Sequence, residues 1–379
     1  MKTVCNIDQC AGCMACIDIC PKQAIDIVDN LKSYNAIINE KKCINCNACH
    51  KVCQNNNSVE YQTPIQWSQG WAKNEELRKK CSSGGLATEI ASSFIENGGV
   101  VWGCTFRNGE FRFESAKYIN ELKKFTGSKY VKSNPSGSYK EIKKILENGE
   151  KVLFIGLPCQ VSALKKYIGE NLCKNLYTID LICHGTPSPK ILDVFLKQYN
   201  YSLEKLKDIK FRVKAKFMVM GDYKGIITQG VSDKYSIAFL NSLTYTENCY
   251  SCRYAQEKRV SDLTLGDSWG NKLPMQEQKK GVSLILCQNS KGLELLEKAK
   301  LHIESVDREN AIKNNHQLES PSIAPRGRKK FFDNIERKKF NLLVFKNFPK
   351  QCIRQDIKQV LIKTKIIGGG ILNYEIYIK

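Results

Sequence analysis

The stretch "CAGCMACIDICPK" (residues 10–22) returns in altered form as "CINCNACHKVCQ" (residues 43–54), and this repetition sets the architecture of the N-terminal part of the chain. Both stretches read C-x2-C-x2-C-x3-C. The first three thiolates of such a run wrap one face of an iron–sulfur cube, and the fourth is displaced far enough to reach a second cube. Zinc ribbons and disulfides fit less well, because zinc sites usually use two well-separated CxxC pairs. The repeat therefore predicts two 4Fe–4S clusters.

The two cysteine runs are expected to exchange their fourth cysteines. The first cluster would be held by Cys10, Cys13, Cys16 and Cys53, and the second by Cys43, Cys46, Cys49 and Cys20. Residues 1–58 are thus predicted to form an α+β, ferredoxin-type domain. The polar stretch "QNNNSVEYQTP" (residues 54–64) is typical of a linker.

Length and composition indicate a larger globular protein behind this domain. At 379 residues the chain is long enough for two or three domains, and 42% of its residues are hydrophobic. The sequence has no export-type leader and no run of 18 apolar residues, so no transmembrane segment is expected. Eighteen cysteines without an export signal indicate metal ligands in a reducing cytoplasm rather than disulfides.

The chain carries a formal net charge of +21. Each 4Fe–4S cluster with its four thiolates contributes about −2, so three clusters would leave roughly +15. This surplus favours an acidic partner such as a carrier ferredoxin or flavodoxin, an anionic cofactor or a membrane surface, although a solvated lysine-rich surface explains it almost as well. Basic residues are spread along the chain rather than bunched with aromatics, so nucleic acid is not expected as a partner.

From residue 80 onward the sequence alternates helices and strands. The pattern predicts a small-residue loop that enters a helix over 80–99, helices over 138–149 and 160–169, and strands over 100–106, 151–156 and 176–182. Further strands are predicted over 207–214, 261–266 and 281–288, with a helix over 291–300. This alternation is typical of an α/β module with a mostly parallel sheet. Residues 331–379 are predicted to form a basic helical tail.

The first candidate site in this module is "CSSGG" (residues 81–85). Ser82 or Ser83 can cap the helix that follows, while Gly84 and Gly85 let the backbone approach a ligand closely. The N-terminus of a helix behind small residues attracts anions, although a capped helix without a ligand is the more common case. Cys81 is interpreted as non-ligating.

Four further cysteines form a second candidate site. Cys159 and Cys183 each follow a predicted strand, and the carboxyl ends of parallel neighbouring strands lie at one edge of a sheet, where ligands bind. "CYSC" adds Cys249 and Cys252. Four soft ligands suffice for a third 4Fe–4S cluster. The alternative is two ordinary buried thiols together with a zinc or redox pair, and the spacing leaves both open.

"SDLTLGDSWG" (residues 261–270) is a third candidate site. Trp269 is able to stack on a flat ring, although it is equally able to cap a structural turn.

His184 directly follows Cys183 and is placed to donate to a cluster sulfur or a flavin, unless it is a loop histidine without a role. His184 and Asp267 are the predicted proton donors.

Six motifs in the same order, the cysteine repeat among them, carry a family resemblance. The other five are "KCSSGGLATEIASSFIENGGVVWGCTF", "FTGSKYVKS", "VLFIGLPCQVSALKKYIG", "IDLICHGTPSPK" and "CYSCRYAQEKRVSDLTLGDSWG". The chain resembles the beta-subunit family of coenzyme F420 hydrogenases and dehydrogenases, to which plant and cyanobacterial reductases of chlorophyll-type rings also belong. The resemblance covers residues 1 to about 330.

The resemblance implies an N-terminal-like family domain over residues 70–150 and a C-terminal-like domain over 151–330, which bind FAD beside a 4Fe–4S cluster. The implied cluster ligands are Cys159, Cys183, Cys249 and Cys252. The implied flavin-site residues are Ser82, Ser83, Gly84 and Gly85, with Ser128 and Lys129 nearby. The chain departs from the ferredoxin pattern at Gln54, where proline usually follows the last cysteine, and no stretch identifies a deazaflavin pocket.

The expected function is an iron–sulfur flavoprotein oxidoreductase. Electrons would pass from a ferredoxin-type donor through 4Fe–4S clusters to FAD and on to an organic or deazaflavin (coenzyme F420-like) substrate, in either direction. The main alternative is a non-catalytic electron-transfer subunit of a larger redox complex. A more distant one is an iron–sulfur protein that binds nucleic acid or regulates through its basic surface.

Overall fold

The computed structural model describes residues 2–57, 60–222 and 224–366. Its N-terminal unit contains two short helices and a hairpin: α1 (Ala15–Ile19), β1 (Ile25–Asp29), β2 (Tyr34–Ile38) and α2 (Ala48–Val52). Each helix lies inside one cysteine run. The residues that precede the helices, Met14 and Asn47, both adopt the left-handed conformation, with φ of 61° and 60°. The sequence repeat is therefore also a repeat of backbone structure.

The rest of the described chain alternates helices and strands. The strands are β3 (Gln66–Ala72), β4 (Val100–Arg107), β5 (Glu110–Ala116), β6 (Val152–Gly156), β7 (Leu176–Leu181), β8 (Ile209–Val213), β9 (Lys216–Gly221), β10 (Lys224–Gly225), β11 (Leu263–Asp267), β12 (Ser283–Cys287) and β13 (Leu301–Ser305). The helices are α3 (Glu75–Lys80), α4 (Leu86–Glu96), α5 (Ser138–Glu147), α6 (Pro158–Ile168), α7 (Pro189–Lys197), α8 (Lys234–Leu240), α9 (Met275–Lys280), α10 (Ser290–Lys298), α11 (Arg308–Lys313), α12 (Arg328–Phe332), α13 (Phe340–Asn347) and α14 (Pro349–Lys363). Every helix and strand predicted between residues 80 and 300 is confirmed.

The central sheet has eight strands in the order β13-β3-β12-β11-β7-β6-β4-β5. The four strands β11, β7, β6 and β4 pair in parallel, whereas β5 on one side and β12, β3 and β13 on the other pair antiparallel. Five of the eight strands run in one direction, so the prediction of a mostly parallel sheet is confirmed, with antiparallel strands at both edges. The β4–β5 edge is a hairpin whose turn residues, Asn108 and Gly109, both have positive φ, as a tight two-residue turn requires.

This one sheet crosses the predicted boundary between residues 150 and 151. Val100 of β4 pairs with Val152 of β6, and the strands of the sheet come from residues 66 to 305. The segments 70–150 and 151–330 therefore share a sheet and a core instead of forming two separate structural domains.

A smaller layer lies beside the central sheet. The strands β8, β9 and β10 form a three-stranded antiparallel sheet, which packs with α7, α8 and α13 around buried aromatic rings, among them Phe195, Tyr235, Phe331 and Phe340. The described part of the predicted tail is helical and contributes to this core. Its last residues, 367–379, lie outside the described residues. Over the described ranges, the structure has no helix with the length and apolar character needed to span a bilayer.

The N-terminal unit is docked against the start of α5 through a buried carboxylate. Asp18 accepts hydrogen bonds from the backbone N–H groups of Gly137 at 2.7 Å and Tyr139 at 3.2 Å. Both donors lie at the N-terminus of α5, where amide groups have no partner within the helix. This contact fixes the ferredoxin-type unit next to α6, which carries Cys159.

Candidate functional site

All eighteen cysteines are free thiols, and twelve of them lie in three groups. The first group is Cys10, Cys13, Cys16 and Cys53, each only 6–7% exposed. Burial is the main reason that the pKa of Cys16 lies well above its usual value, and the neighbouring thiols of Cys13 and Cys53 raise it further. The structure thus brings Cys53 of the second run to the first three cysteines of the first run, as the predicted exchange requires.

The second group contains Cys20, the other cysteine of the predicted exchange. Cys20, Cys43, Cys46 and Cys49 line one small cavity of about 20 Å³. Burial raises the pKa of Cys49, and the thiols of Cys20 and Cys43 contribute. Cys46 is exposed to solvent, unlike any cysteine of the first group. The second group therefore lies at the protein surface.

The third group forms at the carboxyl edge of the central sheet. Cys159 lies in the first turn of α6, Cys183 follows β7, and Cys249 and Cys252 come from the loop between α8 and β11. Because β6 and β7 are parallel neighbours, their ends present Cys159 and Cys183 side by side. All four thiols line a cavity of about 510 Å³. Burial raises the pKa of Cys183 to about 12, with contributions from Cys249 and Cys252.

The arrangement of the thiols fits a cluster. Among the described residues, no three His, Cys, Asp or Glu side chains converge as they would on a single metal ion. The four thiols of the third group instead surround a shared space, and a 4Fe–4S cluster takes four thiolates around a core of several atoms. Thiolate sulfur is also the donor that iron–sulfur clusters use, so both the donor type and the arrangement of the four thiols fit a 4Fe–4S cluster.

A buried lysine lies between the first and third groups. Lys132 is 4% exposed, and its Nζ donates a hydrogen bond of 2.9 Å to the carbonyl oxygen of Ala11, next to Cys10. Lys132 also lines the cavity of the third group. Burial raises the pKa of Cys159, and the ammonium of Lys132 opposes that rise. A positive charge is therefore held where two anionic clusters would face each other.

A second large cavity, of about 480 Å³, lies on the other side of the loop that follows β7. Its wall is rich in aromatic rings, namely Phe113, Phe125, Tyr130, Phe217, Phe239 and Trp269. Ser82, Ser83 and Gly85 line it together with Ser128 and Lys129. The N–H of Ser128 donates to Ser82 Oγ at 3.2 Å, so the two segments that the resemblance assigned to a flavin site are in direct contact.

Gly84, the remaining residue assigned to that site, does not line the cavity. A Cβ added at this position would lie 2.6 Å from the carbonyl oxygen of Gly70 in β3. Gly84 therefore allows the loop to pack on the sheet, which is a correction to its predicted role. Gly85, with φ of +84°, begins α4 and leaves the first amide groups of that helix at the cavity.

Asp267 lines the cavity but is engaged in an ion pair. Arg212, which sequence analysis missed, contacts both carboxylate oxygens of Asp267 at 2.6 and 3.1 Å. Arg212 also donates to Tyr130 Oη at 3.1 Å and to the carbonyl oxygen of Ser82 at 3.1 Å. Both carboxylate oxygens of Asp267 are therefore occupied by the guanidinium of Arg212.

His184 also lines this cavity. Burial, together with the neighbouring His316, lowers the pKa of His184 to about 4, so its ring is neutral near pH 7. Its Nδ1 lies 2.8 Å from Gln317 Nε2, and its carbonyl oxygen accepts a hydrogen bond from Ser322 Oγ. A neutral ring leaves His184 able to donate one hydrogen bond, but it does not supply the imidazolium proton of a general acid.

The loop that carries His184 separates the two cavities. Cys183, His184, Gly185 and Thr186 line both the space between the four thiols and the aromatic space. One face of this four-residue wall therefore belongs to the third cysteine group, and the other belongs to the predicted flavin site.

A partly buried lysine, Lys214, supports the Ser82–Ser83 loop. Lys214 Nζ donates to the carbonyl oxygens of Arg78 at 2.5 Å and Ser83 at 3.2 Å. Burial lowers the pKa of Lys214 to about 8, although the nearby Cys81 opposes this effect. Lys132, Arg212 and Lys214 were not predicted. Lys132 lies in the quoted segment "FTGSKYVKS", and Arg212 and Lys214 lie in a predicted strand, but single basic residues carry no spacing signal.

Comparisons with known proteins place two family matches on the chain. Residues 9–57 match the model of the 4Fe-4S dicluster domain, and residues 149–309 match that of the C terminus of the coenzyme F420 hydrogenase/dehydrogenase beta subunit. A chain of the xenon-derivatized F420-reducing NiFe hydrogenase complex from Methanosarcina barkeri is similar at 18% identity with a TM-score of 0.48, over 70% of this chain and 97% of that one. No curated protein sequence matches.

These findings define an iron–sulfur redox protein. Residues 9–57 match a 4Fe-4S dicluster domain, and residues 149–309 relate the following part of the chain to the C terminus of the coenzyme F420 hydrogenase/dehydrogenase beta subunit.

Proposed function

We propose that this chain is an iron–sulfur flavoprotein oxidoreductase. It takes electrons from a ferredoxin-type donor at its N-terminal unit and delivers them to an organic or deazaflavin substrate at the aromatic cavity. The observation that carries this proposal is the wall Cys183–Thr186. These four residues line both the cavity of the third cysteine group and the aromatic cavity.

The three cysteine groups follow one another in space, which supports a relay. Cys49 of the second group is near enough to Cys16 to add to the rise of its pKa, after burial and the thiols of the first group. Cys159 of the third group likewise adds to the rise at Cys13, which burial dominates. The order from the surface inward is therefore second group, first group, third group and aromatic cavity.

The aromatic cavity suits FAD by its size and chemistry. Its volume of about 480 Å³ lies within the roughly 300–1,000 Å³ typical of cofactor and ligand sites. Aromatic walls match the flat ring system of a flavin. The free amides at the start of α4 suit its pyrophosphate. When bound, 4Fe–4S clusters carry single electrons, and FAD converts between one- and two-electron transfer.

The chain's own residues then have distinct tasks. Cys183 would hold the third cluster at the wall, while the neutral ring of His184, oriented by Gln317, offers a hydrogen bond on the cavity side. Arg212 is fixed by Asp267, so its remaining donors keep the Ser82 loop in place. Because Asp267 is held in an ion pair and the ring of His184 is neutral, solvent or the substrate itself would supply protons.

Single-turnover reduction tests this proposal. The anaerobic protein, mixed with reduced ferredoxin, should show reduction of the clusters followed by reduction of its flavin. In Cys183→Ser the N-terminal clusters should still be reduced, while the flavin stays oxidised over the time in which wild-type flavin is fully reduced. Cys352→Ser, at a buried cysteine outside the three groups, is the control. Equal flavin reduction in Cys183→Ser would refute the relay.

The same preparation distinguishes an enzyme from a non-catalytic electron-transfer subunit. Turnover of an organic or deazaflavin acceptor by the purified chain with an artificial donor supports the enzyme. Reduction of the flavin without turnover of any acceptor, restored by a partner subunit, supports the alternative.

A further inference from the structure

The second cysteine group is the part of the relay that a protein partner is able to reach. Cys46 is exposed and Cys20, Cys43 and Cys49 are partly exposed, whereas the four cysteines of the first group are buried. Electron transfer between two proteins needs a close approach of their redox centres. A donor protein therefore has its shortest route at the loop Cys43–Cys49.

Exposed lysines surround this loop. Lys22 lines the small cavity of the second group, Lys41 and Lys42 immediately precede Cys43, and Lys51 follows Cys49. Lys2 completes the set, which we call the lysine rim (Lys2, Lys22, Lys41, Lys42 and Lys51). Glu40 is the one acidic residue in the sequence 40–51, so the face carries a local excess of positive charge.

One hydrogen bond and one exposed apolar side chain characterise this face around the cysteine loop. Lys2 Nζ donates a hydrogen bond of 2.9 Å to Asn45 Oδ1, which ties the N-terminus to the loop between Cys43 and Cys46. Ile44 lines the cavity of the second group and is nevertheless 56% exposed. An exposed apolar side chain inside a charged rim is suited to a small, transient interface of the kind that redox partners use.

We propose that the lysine rim docks an acidic one-electron carrier protein of the ferredoxin class over Ile44 and Cys46. The inference rests on the proposed relay and names its entry surface. Charge complementarity supports this occupant, because lysines in a ring around an exposed redox site attract and orient a carrier whose own surface bears carboxylates. The rim then sets the rate of encounter more than the strength of the complex.

The test is the second-order rate at which a reduced acidic ferredoxin bleaches the cluster absorbance of the holoprotein. This readout needs neither flavin nor substrate, so it remains informative if the proposed enzyme activity fails. In Lys41→Glu/Lys42→Glu the rate should fall by at least about tenfold at low ionic strength. The difference from wild type should vanish in about 0.5 M salt, where charges are screened over a few ångströms. Lys22→Glu, outside the cysteine loop, should show a smaller loss.

The matched control is Lys338→Glu/Lys339→Glu, an exposed adjacent pair with the same change in charge, located before α13. Iron content of every variant is measured first, so that loss of the clusters is not mistaken for loss of docking. Reduction by methyl viologen, a small cation, should not slow in Lys41→Glu/Lys42→Glu. An equal slowing in the control pair would assign the effect to total charge and overturn the proposal. A rate unchanged by all three rim substitutions would also overturn it, while leaving the relay intact.

Discussion

The ammonium of Lys132 donates a hydrogen bond of 2.9 Å to the carbonyl oxygen of Ala11, and so links the binding loop of the first cysteine group to the cavity of the third. A buried charge without compensation is costly, and two anionic clusters on either side would supply that compensation. Lys132 thereby connects the two units both structurally and electrostatically.

Lys132→Met should make the potentials of the two flanking clusters more negative, by tens of millivolts, because a nearby cation stabilises the added electron. Redox titration followed by electron paramagnetic resonance measures the shift. Lys338→Met is the control, because Lys338 is exposed and distant from the cysteine groups in sequence. Potentials equal to wild type, with all clusters present, would show that Lys132 has only a packing role.

Removal of one ligand of the third group should cost one cluster. Cys252→Ser is expected to hold about eight iron atoms per chain, compared with about twelve in wild type, because the ligands of the other two clusters are untouched. Iron and sulfide analysis measures this loss. The control Cys173→Ser changes a cysteine outside the three groups and should keep its full iron content. If Cys252→Ser also keeps it, Cys252 is not a ligand.

The ion pair between Arg212 and Asp267 should contribute to the flavin site by position rather than by acid catalysis. Asp267→Asn leaves a largely buried guanidinium unpaired. The free energy of unfolding should therefore fall by about 3 kcal/mol, and the flavin content should fall as well. The double variant Arg212→Met/Asp267→Asn should recover part of this stability, as measured by chemical denaturation. A change in the shape of the pH–rate profile of Asp267→Asn would instead indicate a proton donor.

Lys214 should make stability increase with pH in the alkaline range. Its folded-state pKa is about 8 compared with an ordinary value of 10.5, so between these values the unfolded chain binds more protons than the folded chain. The free energy of unfolding should therefore rise with pH through this window, by about 2 kcal/mol after allowance for partial exposure. Lys214→Met should lack this rise when both proteins are denatured with urea at pH 7.5 and pH 10. Parallel pH dependences in the two proteins would contradict the assignment.

The sequence was most informative where spacing encodes geometry. The repeat C-x2-C-x2-C-x3-C predicted the 4Fe-4S unit that residues 9–57 match, because the displacement of the fourth cysteine is a local property of the chain. The exchange of Cys20 and Cys53 between two clusters stays a prediction. The placement of Cys159 and Cys183 at one edge followed from two apolar strands that lie close together in sequence. The matches to the 4Fe-4S dicluster domain and to the C terminus of the beta subunit confirm the resemblance over residues 9–57 and 149–309.

The antiparallel edges of the sheet and the basic residues of the sites could not be predicted in the same way. β13 pairs with β3 across more than 200 residues, and such pairings have no local pattern. Lys132 and Arg212 resemble any other basic residue in a lysine-rich chain until the fold places them beside Ala11 and Asp267. Gly84 was predicted to belong to the flavin site, because a glycine needed for packing on β3 looks the same in the sequence as one needed for the approach of a ligand.

Composition of the anaerobically purified protein tests the central claim most directly. Iron, acid-labile sulfide and released flavin should be measured per chain on one preparation. The relay of three clusters and a flavin predicts about twelve iron atoms, as much sulfide and one FAD. About eight iron atoms and no flavin would contradict it, because the third cysteine group and the aromatic cavity would both lack their proposed occupants.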